Sequence, residues 1–433
     1  MNGYSMRFCF LTNIVSPHQM PVARELAHRV GDGCFLYVST GLQTAQREKL
    51  GWNVGALPDW VAKCSHHDLF GDGAVARYVR DCEILLTNER LVWLMADRSA
   101  RGLKTFYMFE RWFKPPLGML RLLHPRFLRM AWGVVNQLKR GQVYAMPIGV
   151  HAAADMARLC GLFSGELTCL SRAPRVTIES KRPLARFRLD GPGSPTGRRH
   201  AECQCGLDRM RLWAYFVEGP SLEADHEVQV PAYSRPKASG QPLRVLWVGR
   251  MLRWKRVDTL IQACQIAAAR GTRIHLKLVG CGPEEDRLRR LTKVGRVADS
   301  RAAALSERFT VEITGPVPIT AVRGLMRAAD VYVLPSDGYE GWGAVVNEAM
   351  GEGCCVIGTQ EAGSSATLID DGYNGFLFNA GDVVGLASKL VGIESGISAG
   401  DISKRAVAMM RDVWSPGQAA DAIIRYVSEA TGG

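Results

Sequence analysis

Residues Val331 to Gly353 read Val-Tyr-Val-Leu-Pro-Ser-Asp-Gly-Tyr-Glu-Gly-Trp-Gly-Ala-Val-Val-Asn-Glu-Ala-Met-Gly-Glu-Gly, and no other stretch restricts the fold as tightly. Val331 to Leu334 is a β-branched run suited to a strand buried on both faces, and Pro335-Ser336-Asp337-Gly338 is turn chemistry that stops it. A helix is expected to begin near Gly343. Its first turn would offer unpaired N–H groups and the positive end of a dipole, and the missing side chains of Gly341 and Gly343 let an anion approach that backbone. Glu340 stands in the loop before the helix and Glu348 about a turn and a half inside it. Both carboxylates can then border one cleft and accept hydrogen bonds from ligand hydroxyls. A solvated helix start carrying acidic residues looks much the same when read alone.

A chain of 433 residues is too long for one core, so two domains of roughly 200 residues each are expected. Hydrophobic content of 47% and charged content of 22% are ordinary for a globular protein, and neither low-complexity tracts nor repeats are visible. Met1 to Phe10 lacks the basic n-region and long apolar core of a secretory signal, which points to the cytoplasm. The Cys residues are scattered, and Cys9, Cys34, Cys264, Cys354 and Cys355 lie in apolar runs, so reduced thiols are expected. His200, Cys203 and Cys205 are close in sequence but lack the paired spacing of a structural zinc site, and no metal is expected. The net charge of +12 calls for an anionic partner or surface.

In the first half, Met6 to Leu11 reads as a strand, Thr12 to Gln19 as a loop and Pro21 to Arg29 as a helix, followed by a strand at Cys34 to Val38. This is the opening of a doubly wound α/β domain, whose ligands sit beyond the strand carboxyl ends. His18 falls at such an end. Further strands are expected at Asp81 to Leu86 and Lys104 to Phe109, and the latter runs directly into Glu110-Arg111. From Arg111 to Ala154 there is no acid, while Arg111, Lys114, Arg121, Arg126, Arg129, Lys139 and Arg140 are interleaved with Trp112, Phe113, Leu117, Leu120, Leu123, Phe127 and Trp132. That mixture suits attachment to an anionic lipid surface. It also suits a basic helix packing its apolar side on the domain core. No recognised nucleic-acid motif accompanies the charge. Ser171 to Gly206 is rich in Pro, Gly and basic residues and reads as a surface insertion that is mobile or only partly ordered, after which Arg211 to Val217 returns to a strand pattern. Glu218 to Gln241, with several Pro, reads as an interdomain linker.

The second half opens with the strand pattern of Leu243 to Val248, then Gly249-Arg250 and Lys255, and a helix from Val257. Ile274 to Val279 leads into Gly280-Cys281-Gly282-Pro283, Val311 to Thr314 into Gly315-Pro316-Val317, and Cys354 to Gly358 into Glu361-Ala362-Gly363-Ser364-Ser365. Asp370-Asp371-Gly372-Tyr373-Asn374-Gly375 forms one more turn. Position for position, Glu340-Gly341-Trp342-Gly343 through Glu348 resembles the E-x7-E signature of the retaining glycosyltransferases of family 4. Gly249, Arg250 and Lys255 resemble that family's diphosphate-neutralising pattern, Gly280 to Pro283 its G-x-G-P turn, and Asp371 to Leu377 its dG-x-N-G-x-L turn.

The resemblance implies a GT-B fold, α/β, with two Rossmann-like doubly wound domains facing a cleft. The boundaries it implies are an acceptor-binding domain at 1–218 with its basic insertion at about 171–206, a linker at 219–242, a nucleotide-sugar domain at 243–413, and a C-terminal helix at 414–433 packing back on the first domain. The implied reaction moves a glycosyl group from a UDP- or GDP-sugar with retention, without cofactor or metal. Arg250, Lys255 and Glu340 would carry the catalysis. Gly249, Gly282, Val317, Gly341, Trp342, Gly343 and Glu348 would complete the donor site, and His18, Glu110 and Arg111 would lie on the acceptor side. Within the family, Ser16-Pro17-His18, Phe109-Glu110-Arg111-Trp112 and Arg211-Leu-Trp-Ala-Tyr-Phe resemble bacterial enzymes of surface-polysaccharide assembly. Two departures are that Ala214 stands for a usual Gly and that Glu110-Arg111 stand where many members carry a histidine. The acceptor is expected to be a saccharide, lipid-linked and met at an anionic membrane surface, with the protein peripheral on the inner face of the cell membrane and no nucleic acid bound. A non-catalytic nucleotide-sugar or lipid-binding partner of an assembly complex would keep the same fold, and a soluble small-molecule acceptor is the other alternative. A dinucleotide oxidoreductase is disfavoured, since the first strand-helix turn lacks G-x-G-x-x-G.

Overall fold

The computed structural model describes residues 6–31, 33–41, 56–140, 142–164, 175–190, 209–217, 240–293, 307–394 and 399–431. They fall into two compact units: one holds the described residues up to Phe216 together with those from Pro416 onward, and the other holds those of Val217–Ser415. Fourteen strands are described, β1 (Phe8–Thr12), β2 (Phe35–Ser39), β3 (Val61–Lys63), β4 (Ile84–Thr87), β5 (Lys104–Phe109), β6 (Val143–Pro147), β7 (Arg175–Ile178), β8 (Phe187–Asp190), β9 (Leu243–Val248), β10 (Ile274–Val279), β11 (Phe309–Thr314), β12 (Val331–Leu334), β13 (Cys355–Thr359) and β14 (Phe376–Phe378).

The first unit's sheet runs β3-β2-β1-β4-β5-β6 and the second's β11-β10-β9-β12-β13-β14, with every pairing in both parallel. Each order reverses direction once, between β1 and β4 in the first sheet and between β9 and β12 in the second. At such a switch point the crossover helices diverge to opposite faces and leave a crevice beyond the strand ends. Helices on both faces explain why the central strands are apolar without alternation: β1, β4, β12 and β13 are buried at every position. In the second unit Trp247, Leu276, Val333 and Ile357 join Leu260, Ile261, Cys264 and Leu386 from the flanking helices in one core. Each fully buried side chain of that size contributes roughly 1.5–3 kcal/mol relative to exposure.

The structure moves several expected boundaries. The strand placed at Asp81 to Leu86 opens only at Ile84, because a helix, Ala74–Asp81, occupies the residues before it. Arg211 to Val217 is not a strand but touches its neighbours through isolated bridges, Arg211 with Arg186 and Trp213 with Ile148. The insertion expected to be mobile or only partly ordered has an ordered part: β7 and β8 pair antiparallel, and the turn between them is tied down by Leu184 N–H donating to the Leu212 carbonyl at 2.7 Å. The rest of that insertion, with His200, Cys203 and Cys205, and all of the linker up to residue 239, lie outside the described residues. The described cysteines are all free thiols. No described helix is long and apolar enough to cross a membrane.

One interior contact had no sequence signal. Arg98 is fully buried, donating to the carbonyls of Val79, Arg80 and Lys104 at 3.1, 3.0 and 2.8 Å and to Thr105 Oγ1 at 3.1 Å. It thereby pins the end of helix Ala74–Asp81 and the start of β5 to helix Val92–Ala100. Replacing Arg98 with Leu should cost on the order of 3 kcal/mol or more in a urea titration, since several buried carbonyls lose their donor together. A loss under about 1 kcal/mol would mean that water reaches those carbonyls.

Candidate functional site

The second unit's site is assembled where its switch-point strands end. From β9 the chain passes Gly249 and exposed Arg250 into the short 3-10 turn Arg253–Lys255. From β12 it passes Pro335 to Glu340 into helix Val345–Gly351. The Asp337 N–H donates to the Trp254 carbonyl at 2.9 Å, joining the two loops. That join brings Lys255 Nζ onto Glu340 Oε2, with both side chains largely buried. Ser336 Oγ donates to the same carboxylate oxygen at 3.0 Å, and the Ser336 carbonyl accepts from Thr359 Oγ1 at 2.6 Å. Lys255 Nζ also lies 4.6 Å from the Trp254 ring centroid, a cation–π contact. Glu340 Oε1 has no hydrogen bond among the described residues, so that oxygen is left to accept from a ligand.

The helix starts later than expected. Gly343 has φ of 88°, a left-handed conformation, and Ala344 is the cap, so Glu348 lies in the first turn rather than a turn and a half inside. A Cβ at Gly343 would stand 3.0 Å from Leu334, 3.2 Å from Ser364 Oγ and 3.4 Å from Glu340 Cγ, which excludes most side chains twice over. The Trp342 side chain is buried, and its indole N–H donates to Asn347 Oδ1 at 2.8 Å. The loop's far side is held by Ser364, whose N–H donates to the Trp342 carbonyl at 2.9 Å and whose Oγ donates to the Gly343 carbonyl at 3.0 Å. Beneath the site lies Tyr332, whose phenol is pushed well above its ordinary pKa, first by burial and then by the charges of Glu348 and Glu340. Both carboxylates therefore act on one buried tyrosine.

The neighbouring turn is fixed by backbone contact. A Cβ on Gly280 would fall 1.9 Å from the Gly249 carbonyl oxygen, and one on Gly282 would fall 2.5 Å from that of Met251. The Met251 N–H donates to the Cys281 carbonyl at 2.9 Å. Val317 is half-buried in the loop after β11. No group of His, Cys, Asp or Glu suited to hold a metal occurs among the described residues.

In the first unit, Glu110 follows β5 with both carboxylate oxygens engaged: Tyr215 Oη donates to Oε1 at 3.1 Å and Lys114 Nζ to Oε2 at 2.6 Å. Burial, followed by the Glu110 charge, pushes the Tyr215 phenol well above its ordinary pKa, so it stays a donor. The His18 ring centroid lies 6.3 Å from that of Tyr215, and the His18 carbonyl accepts from the Phe216 N–H at 3.3 Å. His18 and Glu110 thus meet through Tyr215. Arg111 instead faces buried Asp155 at 3.7 Å, and Asp155 accepts the N–H groups of Trp112 and Phe113 at 2.9 and 3.0 Å. Those two aromatics are core residues, which removes them from the lipid-facing set expected of the acid-free stretch. The contacts of Tyr215, Ser364 and Asp155 were not anticipated, since each acts on a residue distant in sequence, and that of Ser336 lies four residues before Glu340 in what reads only as a turn.

Replacing Gly280 with Ala should cost about 3 kcal/mol in a urea titration, because φ is 128° and the new methyl meets a backbone oxygen. Unchanged stability would show that the turn can open without loss.

Comparison with known proteins agrees with this geometry. Residues 242–394 match the family described as Glycosyl transferases group 1. The chain is 32% identical over 159 residues to a putative colanic acid biosynthesis glycosyltransferase, WcaL, of Salmonella typhimurium, covering 36% of each. It is 29% identical over 161 residues to the amylovoran biosynthesis glycosyltransferase AmsK of Erwinia amylovora, covering 36% of this chain and 37% of that one. The chain thus matches little more than a third of the length of these relatives. Its fold superposes on Anabaena HepE in complex with UDP with a TM-score of 0.59, over 98% of this chain and 100% of that one, at 14% identity. Two Rossmann-like sheets in one chain, shared with that protein over nearly the full length, make this the GT-B fold. Residues 242–394, which hold Lys255, Glu340 and the glycine turns around them, are a domain of the glycosyl transferases group 1 family.

Proposed function

We propose that the chain transfers a glycosyl group from a nucleoside diphosphate sugar to a saccharide acceptor in surface-polysaccharide assembly. The observation that carries this reading is the meeting of Lys255 and Glu340, from the ends of β9 and β12, at the switch point of the second sheet. A cation and a carboxylate with one uncommitted oxygen match the two halves of such a donor, the diphosphate and the sugar hydroxyls. Arg250 and Lys255 neutralise the charge that grows on the leaving diphosphate, the largest expected contribution in a site of this kind. Glu340 Oε1 accepts from sugar hydroxyls and Glu348 from the ribose. Two side-chain cations serve where other enzymes use a divalent ion, so turnover survives a chelator in this reading. The bond from the anomeric carbon to the diphosphate breaks, the acceptor oxygen bonds to that carbon on the same face, and the acceptor proton passes to the departing phosphate oxygen. The product keeps the donor's anomeric configuration.

UDP-sugars are the first donors to try, because HepE, of similar fold, was solved with UDP. The acceptor is read as a lipid-linked saccharide at an anionic membrane surface, with His18, Tyr215 and Glu110 on its side. The reading is tested by release of nucleoside diphosphate from UDP-, GDP- and ADP-sugars, together with thermal shifts. Failure of all three donors to shift the melting temperature or to turn over would overturn it.

Lys255→Ala should lower kcat/KM for the donor about a hundredfold, because one phosphate-stabilising cation is worth roughly 3 kcal/mol in a transition state. It should also lower the melting temperature, since Glu340 loses its buried counter-charge. Lys255→Arg should recover most of the stability. Activity within a factor of about three of wild type would remove Lys255 from the site.

Glu348→Gln should raise KM for the donor more than it lowers kcat, because contacts to ribose act equally in ground and transition states. Glu340→Gln should lower kcat more than it raises KM. A change confined to KM in both variants would refute this division of roles.

A further inference from the structure

The acid-free stretch separates, in the structure, into an inner and an outer set. Trp112 and Phe113 are buried, and Ala131, Val134, Val135 and Leu138 turn one side of helix Pro125–Lys139 into the core. Four of its cations are committed to the protein: Arg111 to Asp155 at 3.7 Å, Lys114 to Glu110, Arg121 to the Trp112 carbonyl at 3.3 Å, and Lys139 to the Phe163 carbonyl at 3.2 Å. What remains points outward. The 3-10 turn Gly118–Leu123 buries none of its residues, and Leu117, Leu120 and Leu123 are 54%, 62% and 79% exposed. On the adjoining helix Arg126, Arg129 and Trp132 recur every third residue and share the face turned away from the core, with Trp132 56% exposed. Arg126 and Arg129 have no carboxylate partner among the described residues.

Large exposed apolar groups clustered with unpaired cations mark a surface that is covered in use. The charge decides what covers it. An apolar protein partner would not require a stretch from Arg111 to Ala154 without one acid, whereas a sheet of anionic headgroups above a hydrocarbon layer matches both the cations and the leucines. We propose that the turn Gly118–Leu123 and the outer face of helix Pro125–Lys139 dock on an anionic lipid bilayer, with Leu117, Leu120, Leu123 and Trp132 entering the interface and Arg126 and Arg129 meeting the headgroups. The proposal rests on the membrane-surface acceptor reading and deepens it by naming the inserting residues. It also removes Arg121 from the lipid-facing cations, since that side chain braces the Trp112 loop.

The test is co-sedimentation of the full chain with phosphatidylcholine vesicles with and without phosphatidylglycerol, at low and high salt, alongside release of UDP from UDP-glucose. Wild type should sediment with the anionic vesicles. Leu120→Ser/Leu123→Ser should lose about tenfold in partitioning at both salt concentrations, because it removes the inserted groups. Arg126→Gln/Arg129→Gln should lose about tenfold at low salt and little at high salt, where those charges are already screened. Circular dichroism melts of each variant, expected to match wild type because the substituted residues are exposed, serve as the control for folding. Failure of wild type to bind anionic vesicles, or equal binding by wild type and the leucine variant, would overturn the proposal. So would a wild-type dimer in sedimentation velocity that the leucine variant converts to monomer without any vesicle binding, since the patch would then join two copies. Vesicle binding without turnover of any nucleotide sugar would sink the transfer reading while leaving the docking surface standing.

Discussion

Parallel strands covered by helices on both faces have no solvent-facing side, so a sheet of this kind can do chemistry only where its strands end. In both units the interior strands are packed so completely that every polar side chain with a ligand to meet must stand in a loop beyond a carboxyl end. The reversal in strand order then selects which ends matter, because only there do neighbouring loops diverge and leave room. Lys255, Glu340 and Ser336 gather at that place in the second unit. In the first, Asn13 and Asn88 bridge the corresponding gap, the Asn13 N–H donating to Asn88 Oδ1 at 3.1 Å and Asn88 Nδ2 to Asn13 Oδ1 at 3.2 Å.

Close approach of loops brings the second constraint, which is steric. The turn after β10 lies on the backbone after β9, and the loop before helix Val345–Gly351 lies on that before helix Gly363–Leu368, where a Cβ at Gly363 would stand 2.4 Å from the Gly341 oxygen. Glycine at these places is a matter of available space, and at Gly280 and Gly343 of backbone sign as well.

Much of this was legible in the chain. Apolar runs such as Lys104 to Phe109 reproduce a strand to the residue, because burial on both faces leaves no alternation to confuse the reading. The association of Lys255 with Glu340, 85 positions apart, was visible only through resemblance to a known family, since local periodicity carries nothing about such a pair. Gly343 was read as the helix start, and the chain delays that start by turning left-handed there. Arg98 and Asp155 were invisible for a related reason: both are polar, buried and satisfied by partners elsewhere in the chain, and their neighbours in sequence look like any others. The acid-free stretch suits either a lipid-facing surface or a basic helix with its apolar side on the core, and the structure gives Trp112 and Phe113 to the core while leaving Leu120, Leu123 and Trp132 exposed.

The first unit is not made from one continuous piece of chain. Its cover is completed by helix Pro416–Thr431, where Asp421 accepts from Arg29 at 2.6 Å, Tyr426 Oη donates to the Arg209 carbonyl at 2.7 Å, and the Tyr426 ring lies edge-on to Phe106 and Tyr144 at 5.3 and 5.7 Å. During synthesis the aromatic end of the first sheet therefore waits, uncovered, through the making of the entire second unit. Of these two units the one begun first is the last able to finish folding, and helix Pro416–Thr431 serves as its closing piece.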